Sequence, residues 1–271
     1  MSLFPRGLRR SKSPPPVSLP ASVAAGARLY AFGDVHGRVD LLRRLFSAIE
    51  QDMGGSDPIQ PVVVGLGDYI DRGPESKAVV QALVDGVPSC ELVSVRGNHE
   101  QMLVDFLEDP ARFGPAWLAN GALETLRSYG VDVKKISRLD DAELQLIRNT
   151  LARNLPPAHL LLLQRLPLSY TSGDYFFVHA GVRSGVDLEH QAARDMLWIR
   201  RGFVEGDQPF AKVIVHGHTP VDQPYLGRYR INLDTGAYFT NRLTCLVLEG
   251  TSRRLLDLGT RTDRGLSLPS S

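Results

Sequence analysis

The chain has 271 residues, 43% of them hydrophobic and 23% charged, with 31 Lys and Arg against 30 Asp and Glu for a net charge of +1. That composition holds ample apolar material for a core and excludes wholesale disorder, and its neutral balance argues against a general nucleic-acid binder. The most apolar run, residues 160–163, falls far short of the roughly 18–20 residues that span a bilayer, so a soluble, cytoplasmic chain with no membrane partner is expected.

In chain order, residues 1–26 carry Arg6, Arg9, Arg10 and Lys12 without an acid and then three prolines, which reads as a disordered basic tail. Apolar runs at 29–32, 61–66 and 92–95 read as strands, and the spacings at 39–49, 75–84 and 100–107 as helices between and after them. Such alternation predicts βαβ units, a partly parallel sheet covered by helices, and reactive groups at the carboxyl ends of its strands. From about 110 to 166 helical spacing dominates, with Trp117, Leu118, Leu123 and Leu126 at packing positions, so a helical insertion is expected. Strands are expected again at 175–178, 213–215, 230–233, 244–248 and 254–258, with only 188–199 helical among them. That pattern predicts a largely antiparallel second half, two sheets packed face to face, and a short polar tail over 260–271. Cys90 and Cys245 lie in apolar strand-like runs and read as reduced thiols.

Five of the seven histidines fall in short polar breaks at strand ends. The first break is Gly33-Asp34-Val35-His36-Gly37, and residues two apart in an extended segment share a side, so Asp34 and His36 can reach one metal ion. Gly67-Asp68-Tyr69-Ile70-Asp71-Arg72-Gly73 and Arg96-Gly97-Asn98-His99-Glu100 end the next two strands, and a parallel sheet would set Asp34, Asp68 and Asn98 side by side. His179-Ala180-Gly181 and His216-Gly217-His218-Thr219 come from the later half. One isolated buried histidine would be a satisfied core residue. Carboxylate, imidazole and amide together form a mixed oxygen and nitrogen donor set, suited to Mn, Fe or Zn and numerous enough for two ions sharing a carboxylate.

These three early segments resemble, in order and spacing, the signature motifs of PPP-type phosphoprotein phosphatases within the calcineurin-like metallophosphoesterases. His179-Ala180-Gly181 and Gly217-His218-Thr219 resemble the other two metal motifs, so the likeness covers roughly residues 28–250. Asp234-Thr235-Gly236-Ala237 and Trp198-Ile199-Arg200 are most similar to the bacterial and bacteriophage branch. The resemblance implies an α/β fold, a β-sandwich of two mixed sheets flanked by helices, over residues 27–259. It implies that Asp34 and His36 hold a first divalent ion, that Asp68 bridges, and that Asn98, His179 and His218 hold a second, with Mn2+ expected and Fe or Zn as alternatives. His99 would be the general acid and Asp71 would orient its ring. Arg72, Arg96 and Arg200 would clamp the phosphate, though Arg201 follows Arg200 directly and either could turn inward. His216 reads as structural, and Glu100 as a favourable charge at a helix amino end or a support for the ligands.

The implied activity is hydrolysis of phosphomonoesters, above all phosphoserine and phosphothreonine in proteins, by in-line attack of a metal-bridging hydroxide. Hydrolysis of dinucleoside polyphosphates, as in the symmetrical bacterial diadenosine tetraphosphatases, is the alternative, and an inactive scaffold on the same fold a remote one. The insertion is expected to shape the substrate groove.

Overall fold

In the computed structural model, described for residues 16–54, 60–133, 140–256 and 258, the apolar runs condense into two sheets wrapped by helices. β1 (Ala27–Phe32), α1 (Val39–Met53), β2 (Gln60–Gly65), α2 (Ser76–Asp85), β3 (Glu91–Ser94) and α3 (Asn98–Glu108) alternate as the spacing predicts. Four helices follow: α4 (Pro110–Ala119), α5 (Ala122–Ser128), α6 (Asp141–Asn154) and α7 (Pro157–Arg165). The rest is β4 (Ser169–Ser172), β5 (Tyr175–Val178), α8 (Ala193–Trp198), β6 (Val213–His216), β7 (Tyr225–Leu226), β8 (Arg230–Asn232), α9 (Ala237–Thr240), β9 (Cys245–Glu249) and β10 (Ser252–Leu255). Helix starts follow local chemistry. Asp109 accepts from the Arg112 N–H with Pro110 at the first helical position of α4, and Asp140 and Glu143 exchange side-chain to backbone bonds at the start of α6.

The first sheet runs β10-β9-β1-β2-β3, with β1, β2 and β3 parallel, and the second runs β4-β5-β6-β8-β7. Alternation along the strands explains the layers. Leu29, Ala31, Val62 and Val64 point between the sheets and meet Tyr175, Phe177, Val213, Val215 and Ile231. Tyr30, Phe32 and Val63 point the other way, into a cluster that α1 joins with Val39, Leu42, Leu45 and Ile49 and α4 to α6 with Trp117, Leu126 and Leu144. The helices after α3 therefore share this core rather than forming one of their own. A third cluster, with Phe176, Val178, Ile214, Met196 and Phe203, fills the outer face of the second sheet. Each fully buried Leu or Phe side chain contributes about 1.5–3 kcal/mol.

Three expectations are refined. The second half pairs largely antiparallel, through β4 with β5, β7 with β8 and β9 with β1 and β10, but the core of the second sheet is not: β5, β6 and β8 are parallel, and only the edge strands β4 and β7 run against them. The connection over 179–212 is a true crossover that contains α8, within the span 188–199 that the spacing predicts as helical, whereas the connection from β6 to β8 holds only β7 and no helix among the described residues. β9 and β10 return to the first sheet, where β9 pairs antiparallel with β1. The basic tail expected over 1–26 falls outside the described residues for 1–15, whereas residues 16–26 lie on the molecule. The Val17 N–H donates to the Phe210 carbonyl at 2.8 Å, and Ala21 and Val23 are buried beside Val17 and Leu19 in the inter-sheet core. Every second residue there is apolar, a strand-like period masked by prolines and serines. The polar tail expected over 260–271 lies outside the described residues. Both cysteines are free thiols, Cys245 buried and Cys90 half-buried. Among the described residues no helix is long and apolar enough to cross a membrane.

Candidate dinuclear metal centre

The parallel order β1-β2-β3 sets the ends of three strands in a row, and β5 and β6 bring the ends of two more to the same edge. Two groups of donor atoms form there, His36 with Asp68 and His99, and Asp68 with His179 and His218; within each, all atoms lie within 4.8 Å of one another. Asp68 belongs to both. Its Oδ2 lies 3.6 Å from His36 Nε2 and its Oδ1 3.3 Å from His179 Nε2, so one carboxylate faces two imidazoles with two different oxygens. Asn98 Oδ1 is 2.9 Å from His179 Nε2, and His179 Nε2 is 3.1 Å from His218 Nδ1. Asp34 stands behind His218, whose N–H it accepts at 3.1 and 3.2 Å.

Backbone carbonyls set the tautomers. His36 Nδ1 donates to the Ile70 carbonyl at 2.8 Å and His179 Nδ1 to the Leu66 carbonyl at 2.9 Å, which leaves both Nε2 lone pairs turned inward. The rings are held neutral, the ligating form: burial depresses His36 to about 3, and burial with His179 depresses His218 to about 2. Burial, then Asp234 and Asp68, push the Asp34 carboxyl well up, and burial raises Asp234 to about 6 with Asp68 adding. Burial alone would also raise Asp68, but His179, His99, His36 and His218 around it hold it well below the usual carboxylate range. Three buried carboxylates crowded against neutral imidazoles are the donor set that divalent cations balance. Two guanidiniums already lie on this set, Arg72 Nη1 at 2.9 Å from His36 Nε2 and Arg200 Nε at 3.1 Å from His218 Nε2.

His99 is fully buried, and Asp71 Oδ2 takes its Nδ1–H at 2.7 Å. Burial lowers the affinity of the ring for a proton, but Asp68 and Asp71 outweigh it and hold His99 above its ordinary value. Its Nε2 has no hydrogen-bond partner and lies 3.8 Å from Asp68 Oδ2, an orphaned buried donor aimed at the shared carboxylate.

The local backbone is costly. Among the described residues, His36, Asp68, Asp71, Arg72 and His218 are five of the seven non-glycine residues with positive φ, so left-handed conformations concentrate here, each costing roughly 1–3 kcal/mol. Glu100 offsets this from the first turn of α3, where its carboxylate accepts the N–H groups of Asp68, Tyr69, Ile70 and Gly97 at 2.8–3.2 Å. It caps the helix and supports the ligand turn at once. Gly97 has to be glycine, because a Cβ there would overlap the backbone nitrogen and Oδ1 of Asp68.

Not every candidate joins the cluster. Arg96 bonds Gln101 Oε1 at 2.8 Å and the Gln164 carbonyl at 2.7 Å, so its guanidinium faces α3 and α7, a departure from the expected three-arginine clamp. Arg200 rather than Arg201 meets His218. His216 meets other partners: its Nε2 is 3.4 Å from Arg230 Nη1 and its ring packs edge-on against Phe203. The sequence reading missed four neighbours. Asp234 is buried beside Asp34, and Tyr238 is exposed with its ring against His36 and under Arg72. Trp117 Nε1 donates to Asp71 Oδ2 at 2.8 Å and Thr125 Oγ1 to Asp71 Oδ1 at 2.5 Å. A tryptophan on an apolar helical face carries a polar handle that needs a partner, and this was the available signal.

A family model described as calcineurin-like phosphoesterase matches residues 27–245. The bis(5'-nucleosyl)-tetraphosphatase PrpE [asymmetrical] of Bacillus velezensis is 26% identical over 231 residues, covering 78% of this chain and 85% of that protein. Serine/threonine-protein phosphatase 1 of Salmonella typhimurium is 28% identical over 229 residues, covering 80% and 89%. Among solved structures, a serine/threonine phosphatase from Saccharomyces cerevisiae aligns with a TM-score of 0.51 at 15% identity, covering 88% of this chain and 82% of that one, a likeness of fold.

Proposed function

The chain belongs to the calcineurin-like phosphoesterase family, and from that premise we propose that it is a cytoplasmic phosphomonoesterase with two divalent ions, Mn2+ foremost, acting on phosphoserine and phosphothreonine in proteins. Asp34, His36, Asp68, Asn98, His179 and His218 would hold the ions, with Asp68 shared between them. The ions, when bound, supply Lewis acidity and a water nucleophile at neutral pH.

The protein's own groups do the rest. Arg72 and Arg200 stand on opposite flanks of the cluster, where planar guanidinium forks match the non-bridging phosphate oxygens and stabilise the charge that develops on the phosphoryl group. As the bond from phosphorus to the leaving oxygen breaks, the proton on His99 Nε2 passes to that oxygen, and Asp71 holds the ring and the positive charge. Water supplies the new oxygen on phosphorus, and its proton leaves to solvent. The orphaned Nε2 of His99, on a ring that Asp71 holds through Nδ1, carries this reading, because a positioned acid matters most for a poor leaving group such as a serine or threonine alkoxide. The likeness to the tetraphosphatase of Bacillus velezensis and the exposed Tyr238 ring beside His36 favour a second reading, a dinucleoside polyphosphate whose base could stack there.

Purified protein with Mn2+ is expected to release phosphate from a phosphothreonine peptide with a higher kcat/KM than it splits diadenosine tetraphosphate. The reverse order would replace the first reading with the second.

A further inference from the structure

Asp71 and Arg72 form one turn with two successive left-handed residues, φ 69° and 67°, and this turn carries both the partner of His99 and a phosphate-facing arginine. Such a turn does not hold itself. Its anchors come from α2 and from the α4–α5 hairpin, which the motifs do not touch. Trp117 and Thr125, both fully buried, donate to the two different oxygens of the Asp71 carboxylate. The Asp71 N–H points back at Thr125 Oγ1 at 2.9 Å and Ser76 Oγ at 3.0 Å, and these hydroxyls are 3.0 Å apart. The Arg72 N–H donates to the Gly121 carbonyl, in the link between α4 and α5, at 3.1 Å. Asp71 Oδ2 thus receives Trp117 and His99 together, so rotating the carboxylate away from the indole would also take it off the imidazole.

We infer that the α4–α5 hairpin is a positioning element of the active site: Trp117 and Thr125 lock the Asp71 carboxylate, and through it the His99 ring, so that Nε2–H is aimed at the leaving oxygen. A helix pair serving only as packing or as a groove wall would need neither the indole N–H nor the threonine hydroxyl on this carboxylate. The inference rests on His99 being the general acid, and its test separates the two.

Mn2+-loaded protein is assayed on p-nitrophenyl phosphate, whose leaving oxygen is weakly basic, and on phenyl phosphate, whose leaving oxygen is far more so. Trp117→Phe and Thr125→Val are each expected to lower kcat on phenyl phosphate about tenfold and on p-nitrophenyl phosphate less than about threefold, with KM little changed. Thr125→Ser, which keeps the hydroxyl, should restore the wild-type ratio. His99→Asn should show the same split, larger. Equal losses on both substrates from a folded Trp117→Phe or Thr125→Val protein overturn the positioning role while leaving the acid in place. A His99→Asn protein with no split overturns the acid itself. Should one of the two hairpin variants fail to fold, the other decides.

Discussion

The two sheets deliver their ligands by different means. The first brings them on turns: His36, Asp68, Asp71 and Arg72 all have positive φ, and the turns are held by polar anchors, four N–H groups on Glu100 and three donors on the Asp71 carboxylate. The second brings His179 and His218 at the ends of β5 and β6, strands buried along their whole length, and only His218 has positive φ. There the support is packing plus Arg230, whose guanidinium bonds the Val204 and Gly206 carbonyls, lies over the Tyr225 ring and so fastens the loop after Arg200 to β8. A half built on strained turns should depend on single hydrogen-bonding groups, and a half built on buried strands should tolerate their loss better.

The largest effect is expected where both halves meet. Asp68→Asn removes the charge both ion positions share, and a loss of about 4 kcal/mol of transition-state stabilisation would lower kcat/KM about a thousandfold. Far-UV circular dichroism should stay native, and calorimetric titration with Mn2+ should show fewer or weaker sites. Retained turnover would mean that the centre does not rest on the shared carboxylate.

Within the first half, Glu100→Ala leaves four buried N–H groups without their acceptor and should cost about 3–5 kcal/mol in urea unfolding. Glu100→Gln keeps an acceptor and should cost less. In the second half, Arg230→Met keeps most of the apolar contact of the stem and should cost about 1–3 kcal/mol. If Arg230→Met proves the more damaging of the two, the contrast between polar anchors and buried strands is wrong.

What could be read beforehand follows the same division. The three Gly-Asp and Gly-Asn breaks stood out because each interrupts an apolar run with residues that have no reason to sit at a strand end except chemistry, and the parallel order of β1, β2 and β3 followed from their helical spacers. The parallel core of the second sheet was hidden because its second crossover, from β6 to β8, holds only the short strand β7 and no helix among the described residues, so the single helical span at 188–199 did not announce a run of parallel strands. Trp117 and Thr125 did not stand out as site residues because an amphipathic pattern reports which face is buried and is silent about where a buried polar atom points, so the indole N–H announced a partner without naming Asp71. Arg200 and Arg201 could not be told apart without the turn that follows them, in which the Phe203 and Val204 N–H groups bond the Arg200 carbonyl. For Arg96, the sequence showed a cation beside a ligand motif but not Gln101 and Gln164, which engage its guanidinium.

The smallest effect concerns His159, a buried histidine in neither ligand set. Its Nδ1 faces the Tyr129 hydroxyl and its Nε2 the Gln81 Oε1, both at 2.9 Å, so a neutral ring that donates from Nε2 and accepts at Nδ1 satisfies all three groups. Burial, and then Lys77, hold its pKa below the ordinary value. The unfolded chain therefore binds the extra proton first as pH falls, and the folded state loses stability as the pH drops through the ordinary histidine range, about 7 to 5. His159→Gln should remove that part of the slope of melting temperature against pH while leaving kcat/KM unchanged. An identical slope in the variant would place the acid sensitivity instead in the metal-centre histidines, where burial also holds the rings neutral, and adding Mn2+ should then flatten it.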